Sequence, residues 1–382
     1  MKGYSERLQE VQEYYFSKKL QEVQELRNAG KPIINMGIGS PDLPPDPRVT
    51  VALHETSALP NAHGYQSYQG TAELRQAMAD FYSRNYGVSL DPKNEILPLM
   101  GSKEGIMHIS MAFLDEGDEV LVPNPGYPTY TSVTKLLKAK PVYFDLMERS
   151  GWEPDWEALE NLDLSRVKLM WINYPHMPTG AKGSRELFIK LLNFASRNNI
   201  LLVHDNPYSF ILNEEPLSFL SLPGSMDHVL ELNSLSKTFN IPGWRVGMLS
   251  GRKDYLQAVL RVKSNMDSGM FLGIQAGAVA ALHLDASWIS SMNAIYARRR
   301  ALVWEMARQL QLEVDEGAVG LFVWARVPEG MQALELVDRL LYEKDIFITP
   351  GMVFGSKGKD HVRFSLCVDE GLIKEALNRL TK

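Results

Sequence analysis

The sequence predicts an α/β fold, a mostly parallel sheet flanked by helices, joined to a smaller α+β domain. Three patterns carry that reading. Short apolar or β-branched runs recur at 119–122 (EVLV), 141–144 (PVYF), 167–172 (VKLMWI), 200–203 (ILLV) and 229–232 (VLEL). Helix-like stretches at 102–114, 128–138 and 184–198 lie between several of them. Strands of a parallel sheet are covered on both faces, so they read as near-continuous apolar runs rather than alternating ones. After about residue 285 the pattern changes to a long charged helix, short strands near 321–326 and 361–366, and terminal helices. That tail, with the N-terminal segment, reads as the smaller unit.

At the N-terminus, LQEVQE occurs at 8–13 and again at 20–25. Two copies do not make a solenoid, and the segment reads as one polar helix. Leu20, Val23 and Leu26 give it a docking face before Gly30-Lys31-Pro32 stops it. The expected division is 46–284 for the large domain, with 1–45 and 285–382 forming the small domain and an N-terminal arm.

The chain has 382 residues and a formal net charge of −6, from 46 acids against 40 bases. This balance argues against a nucleic-acid-binding protein. The single cysteine, Cys367, excludes an intrachain disulfide framework and a cysteine-rich zinc site, and no metal is expected. The start, MKGYSERLQE, lacks the apolar core of a signal peptide, and no apolar run reaches the roughly 18–20 residues of a membrane helix. A soluble, cytoplasmic protein with no membrane partner is expected.

In sheets of this kind ligands sit at the carboxyl ends of the strands. The residues after the apolar runs are NPGYP, NYPHMPTG, HDNPY and NSLSKT. They are rich in Asn, Pro, Tyr, Asp, Ser and Lys, which marks one site assembled from four tips. In the last tip, Lys237 stands beside Ser234 and Ser236, and Arg245 follows eight residues on. A lysine so placed can form a Schiff base with a carbonyl cofactor. An arginine fork and two hydroxyls suit a phosphate.

These motifs, in this order over roughly residues 30–370, resemble the class I/II aminotransferases, the fold-type I enzymes that use pyridoxal 5′-phosphate (PLP). The resemblance implies their fold, with a seven-stranded sheet. It implies that Lys237 carries PLP and that Ser234, Ser236 and Arg245 hold its phosphate. Asp205 and Tyr208, in HDNPY, match the pair that tunes the cofactor ring. Asp205 keeps the pyridine nitrogen protonated, so that the ring acts as an electron sink, and Tyr208 donates to the phenolate oxygen. Lys237, Asp205 and Tyr208 are thus the expected catalytic residues. Gly101-Ser102-Lys103 resembles the family's phosphate loop, with the backbone N–H groups of Ser102 and Lys103 as ligands at a helix start. Tyr127 matches the aromatic residue stacked on the ring. Tyr65, in HGYQSYQG, matches a tyrosine that reaches the phosphate in the other subunit, which implies a homodimer with shared sites. Arg363, in HVRFSL, matches the arginine that grips the substrate α-carboxylate. Gly39, in GIGSPD, matches a glycine near that carboxylate. The spacing of its G-x-G is not a dinucleotide fingerprint.

One position departs from the family. Where the family reads N-P-T-G, this chain has Met177-Pro178-Thr179-Gly180. The family's asparagine donates to the phenolate oxygen, and a thioether cannot donate. Tyr208 is then the main donor unless Asn173, placed among the cofactor-binding residues, or His176 compensates. Met266–Phe271 resembles a segment of the branch containing diaminopimelate and alanine enzymes, which implies a place in the partner subunit's site, with a Met-rich core turn as the alternative. His204 is expected to pack away from the site, and Cys367 to be a core residue. Lys263 lies near the stretch where a second substrate cation could stand. Tyr14, Tyr15 and Phe16 could cover the site or simply dock their helix. The function implied is transfer of an amino group between an L-amino acid and a 2-oxo acid. A C–S β-lyase using the same residues, or a non-catalytic PLP-binding sensor, are the alternatives.

Overall fold

The structure is a computed structural model that describes residues 3–8 and 15–381, with residues 15–17 described by backbone alone. Tyr14 and most of the first LQEVQE copy, and the side chains of Tyr15 and Phe16, lie outside the described residues. The helix Tyr15–Asn28 docks by the predicted face, with Val23 buried and Leu20 and Leu26 packed against the core.

The large sheet has eight strands rather than the seven expected. In spatial order they are Ile96–Leu99, Gly247–Gly251, Val229–Ser234, Leu201–Asp205, Val167–Ile172, Glu119–Asn124, Lys140–Met147 and Glu153–Pro154. The eighth is a two-residue strand that pairs antiparallel with Lys140–Met147. Only this strand and Gly247–Gly251 run against the other six. Every apolar run singled out in the sequence is one of the parallel strands. Core side chains fill both faces: Ile109, Val122, Leu232 and Leu256 belong to one cluster, Met170, Leu202, Phe219 and Met248 to another. Full burial of each such side chain stabilises by roughly 1.5–3 kcal/mol.

Helices Ser102–Phe113, Pro128–Leu136 and Arg185–Arg197 occupy the predicted stretches. The long charged helix is Ala286–Gln309. A four-stranded sheet follows in the order Glu313–Val314, Phe322–Arg326, His361–Ser365, Thr349–Pro350. The N-terminal strand Ile34–Asn35 pairs parallel with Ile346–Phe347, and Ser365 N donates to Met36 O at 2.7 Å. The two ends of the chain are thereby joined beside the large sheet's carboxyl edge.

His204 packs as expected. Its ring lies 2.9 Å from Glu231 Oε2 and 2.8 Å from the Tyr174 carbonyl, fully buried. Glu231 also accepts from Tyr82, Ser218 and the Phe219 N–H, so this buried carboxylate is satisfied.

Candidate active site

All four strand tips open onto one cavity of about 620 Å³. Its walls include Gly39, Ser102, Lys103, Tyr127, Asn173, Asp205, Tyr208, Ser234, Ser236, Lys237, Arg245 and Arg363, and so every predicted site residue except Tyr65.

One end of the cavity is built for an anion. The Ser102–Phe113 helix starts at Gly101, which has no side chain to cap the first N–H groups. Those donors and the helix dipole therefore face the cavity. Gly101 has φ +90°, and a Cβ there would stand 2.1 Å from Arg245 Nη2. The guanidinium thus lies directly against the backbone of the helix start. Strand Val229–Ser234 ends in Ser234, whose Oγ accepts from Ser236 N at 3.2 Å and caps the short helix Leu235–Thr238. This cap sets both hydroxyls and Lys237 at the mouth of the cavity.

The other end holds a buried carboxylate. Asp205 closes its strand 5% exposed. Tyr130 Oη donates to Asp205 Oδ2 at 2.8 Å, while Oδ1 is buried with no hydrogen-bond partner among the described residues. Burial holds the Asp205 carboxyl up at about 6, against the pull of the Tyr130 hydrogen bond. Tyr130 is fixed by stacking on Trp171, with ring centroids 4.9 Å apart and planes at 5°. A buried carboxylate with one oxygen unpartnered among the described residues at one end, and an uncapped helix start with an arginine at the other, fit a protonated ring nitrogen and a phosphate.

Lys237 Nζ donates to Gly39 O at 2.6 Å. Burial lowers its pKa, and the nearby Arg245 and Arg363 lower it further. Gly39 has no room for a side chain, since a Cβ would meet Phe322 Cζ at 2.2 Å. Arg363 lies between two rings, 3.9 Å from the Phe322 centroid and 4.5 Å from that of Phe354. Its Nη2 donates to Gly37 O at 2.9 Å, and Nη1 stands 3.3 Å from Met177 Sδ. Phe322 also meets Tyr208 edge-on. Burial raises the Tyr208 phenol, keeping it protonated as a donor.

The two proposed substitutes for the missing asparagine stand differently: Asn173 lines the cavity with one of its two N–H donors already used, and His176 lies outside it. The Asn173 side chain donates to the Asp205 carbonyl and accepts from Met177 N, so its amide holds the two tips together. His176 Nδ1 bonds Thr179 at 2.8 Å, and burial pushes its pKa down to about 3. His176 does not line the cavity.

Tyr65 is 93% exposed and outside the cavity of its own chain. Lys263 is also outside it, 3% exposed, with Nζ 2.8 Å from both Asp267 Oδ1 and the Tyr68 carbonyl. Glu104, His108 and Asp267 bring metal-ligand atoms within 4.8 Å of one another. The Lys263 ammonium already pairs with that carboxylate. Cys367 is buried and its thiol pushed up to about 11, which suits a core residue rather than a nucleophile.

Sequence reasoning missed Tyr130, Phe322 and Phe354. Tyr130 had a signal, since it closes the same NPGYPTY tip three residues after Tyr127. The two phenylalanines come from separate elements of the smaller sheet region and carry no local motif.

Residues 31–380 match the model of the family aminotransferase class I and II, and the chain belongs to that family. The LL-diaminopimelate aminotransferase of Halothermothrix orenii is 38% identical to it over 378 residues, covering 98% of this chain and 97% of that one. The enzyme of the same name from Aquifex aeolicus is 36% identical over 379 residues, covering 99% and 98%. Among solved structures, apo-BacF from Bacillus subtilis superposes with a TM-score of 0.94 at 35% identity, over 100% of this chain and 98% of that one. A single mutant of Thermus thermophilus aspartate aminotransferase gives 0.91 at 27% identity, over 99% of each. The chain is a PLP-dependent aminotransferase that acts on an amino acid and a 2-oxo acid. Its relatives' names favour this reading over the lyase and the sensor.

Proposed function

We propose the following roles within this aminotransferase site. Asp205 Oδ1 meets the ring nitrogen of PLP, Tyr208 donates to its phenolic oxygen, and Tyr127 covers the ring. Ser234, Ser236, Arg245 and the N–H groups of Ser102 and Lys103 hold the phosphate. Asn173 acts through Asp205 and Met177, fixing their backbones. The bound cofactor supplies an electron sink for the pair left when the substrate Cα–H bond breaks. Arg363, beside Gly39, grips the α-carboxylate and so aims that bond at Lys237. Lys237 Nζ, with its pKa lowered by burial, takes the Cα proton and returns it as general acid–base.

The observation that carries these roles is a single cavity with the lone Asp205 oxygen at one end, the Arg245–Gly101 cradle at the other, and Lys237 between Gly39 and the two arginines. Purified protein mixed with an amino donor should lose the absorbance of the aldehyde cofactor and regain it on addition of a 2-oxo acid. Release of pyruvate and thiol from cystathionine without that cycle would favour the lyase.

Tyr65 is assigned to the phosphate of a second subunit, which makes the working unit a homodimer. Its exposure on its own chain supports this. Hybrid dimers of Tyr65→Phe and Lys237→Ala subunits should recover part of the activity that each parent lacks. The large domain is taken as 46–284, and 1–45 with 285–382 as the small domain. The eight-stranded sheet lies within the first and the four-stranded sheet within the second. The names of the relatives support a cytoplasmic, biosynthetic enzyme.

A further inference from the structure

We propose that the amino donor is a monocarboxylic amino acid with a large apolar or aromatic side chain, its carboxylate on Arg363 and its side chain against Tyr127, Val353 and Phe354. This rests on the aminotransferase site described above and names its substrate class.

Charge is the first ground. The charged side chains lining the cavity, among the described residues, are Lys103, Asp205, Lys237, Arg245 and Arg363. Asp205, Lys237 and Arg245 serve the cofactor, and Arg363 the α-carboxylate. Lys103 is exposed at the helix start. Lys263, the cation that the sequence put nearest, is locked between Asp267 and the Tyr68 carbonyl and does not line the cavity. Apart from Lys103 at the exposed rim, this subunit offers a distal carboxylate or ammonium no uncommitted counter-charge once its water is lost.

The second ground is space. Another cavity, also of about 620 Å³, shares Tyr127, Val353 and Phe354 with the first. Among the described residues no charged side chain lines it, and its polar groups are neutral, including Thr131, Ser132 and Tyr143. Tyr127, Val353 and Phe354 thus stand between the site and a space whose walls are apolar or neutral. The relatives called LL-diaminopimelate aminotransferases are named for a substrate whose far end carries both a carboxylate and an ammonium. These walls answer neither group.

The test uses the PLP-loaded enzyme. Absorbance of the cofactor is followed with L-phenylalanine, L-leucine and L-methionine, and with L-aspartate, L-glutamate and LL-2,6-diaminopimelate. The apolar set should show kcat/KM at least about 10-fold higher. Binding of 3-phenylpropanoate and glutarate, which have no amine to react, is measured by calorimetry. The first should bind at least about 10-fold more tightly. Phe354→Arg should narrow both preferences, and Val353→Lys serves if that variant does not fold. Preference for a dicarboxylate or for diaminopimelate, in rate or in binding, overturns the proposal and places the counter-charge on the partner subunit. If no donor changes the absorbance, the transamination roles fail, and the two carboxylates alone decide the character of the walls.

Discussion

The hydroxyl of Tyr130 donates to one oxygen of Asp205 at 2.8 Å and leaves the other buried and, among the described residues, unpartnered. Without cofactor, this carboxyl ionises at about 6 in the folded chain, because burial disfavours its charge, against 3.8 for an unperturbed aspartate. The folded state thus binds the proton more tightly than the unfolded state. Its contribution to stability is full below the unfolded value and lost as pH rises from about 4 to about 6. Two pH units correspond to about 3 kcal/mol. Cofactor-free Asp205→Asn should therefore melt higher than cofactor-free wild type at pH 8, with the gap closing at pH 4. With PLP bound the order should reverse. Equal melting of the two cofactor-free proteins at pH 8 would remove burial as the dominant influence on Asp205.

Gly101 and Arg245 make the second prediction. A methyl at position 101 would stand 2.1 Å from the guanidinium, and the backbone there has φ +90°. Gly101→Ala should displace Arg245 from the helix start. Losing one charge-assisted contact costs about 1.5–3 kcal/mol, or roughly a 10- to 100-fold weaker hold on the cofactor. Titration of cofactor-free protein with PLP measures this directly. An unchanged affinity would mean that Arg245 does not serve the phosphate.

The legible parts of the molecule were those with short-range signals. Val167–Ile172 and Val229–Ser234 were visible because burial on both faces makes parallel strands continuously apolar. Ser234, Asp205 and Tyr127 were found because strand ends collect polar residues at such a sheet's edge. Ile96–Leu99 was missed because Pro98 argues against a strand, yet it is the edge strand, where a missing N–H is tolerated. Gly247–Gly251 was missed because its glycines give no apolar run, and its antiparallel pairing with Val229–Ser234 is a tertiary fact. The rings around Arg363 illustrate the same limit. Phe322 and Phe354 lie 32 positions apart, and only the fold brings both onto one guanidinium.

Arg363 supports a third prediction. Its planar fork is held by two rings and aimed by Gly37, an arrangement that a lysine ammonium cannot reproduce. Arg363→Lys should raise KM for the amino donor by roughly 10- to 100-fold, with a smaller loss in kcat, since it weakens grip on the carboxylate before and during reaction alike. Cofactor affinity should stay the same. A variant with normal KM would show that the carboxylate is bound elsewhere.

Met177 gives the last prediction. Its thioether accepts from Arg363 and can donate to nothing, while one Asn173 N–H is committed to the Asp205 carbonyl and the His176 ring does not line the cavity. Tyr208 then remains as the donor for the phenolic oxygen of the bound cofactor. Restoring an amide with Met177→Asn adds a second donor that favours the anionic oxygen. The pH at which the absorbance of the lysine-bound cofactor changes should fall by about one unit, the equivalent of one hydrogen bond to a charged group. The same variant gives Arg363 a stronger acceptor in place of sulfur, so the substrate carboxylate must compete harder and KM should rise. A midpoint that stays put or moves upward would mean that position 177 does not face the phenolic oxygen. A rise in KM alone would then assign Met177 to Arg363 instead.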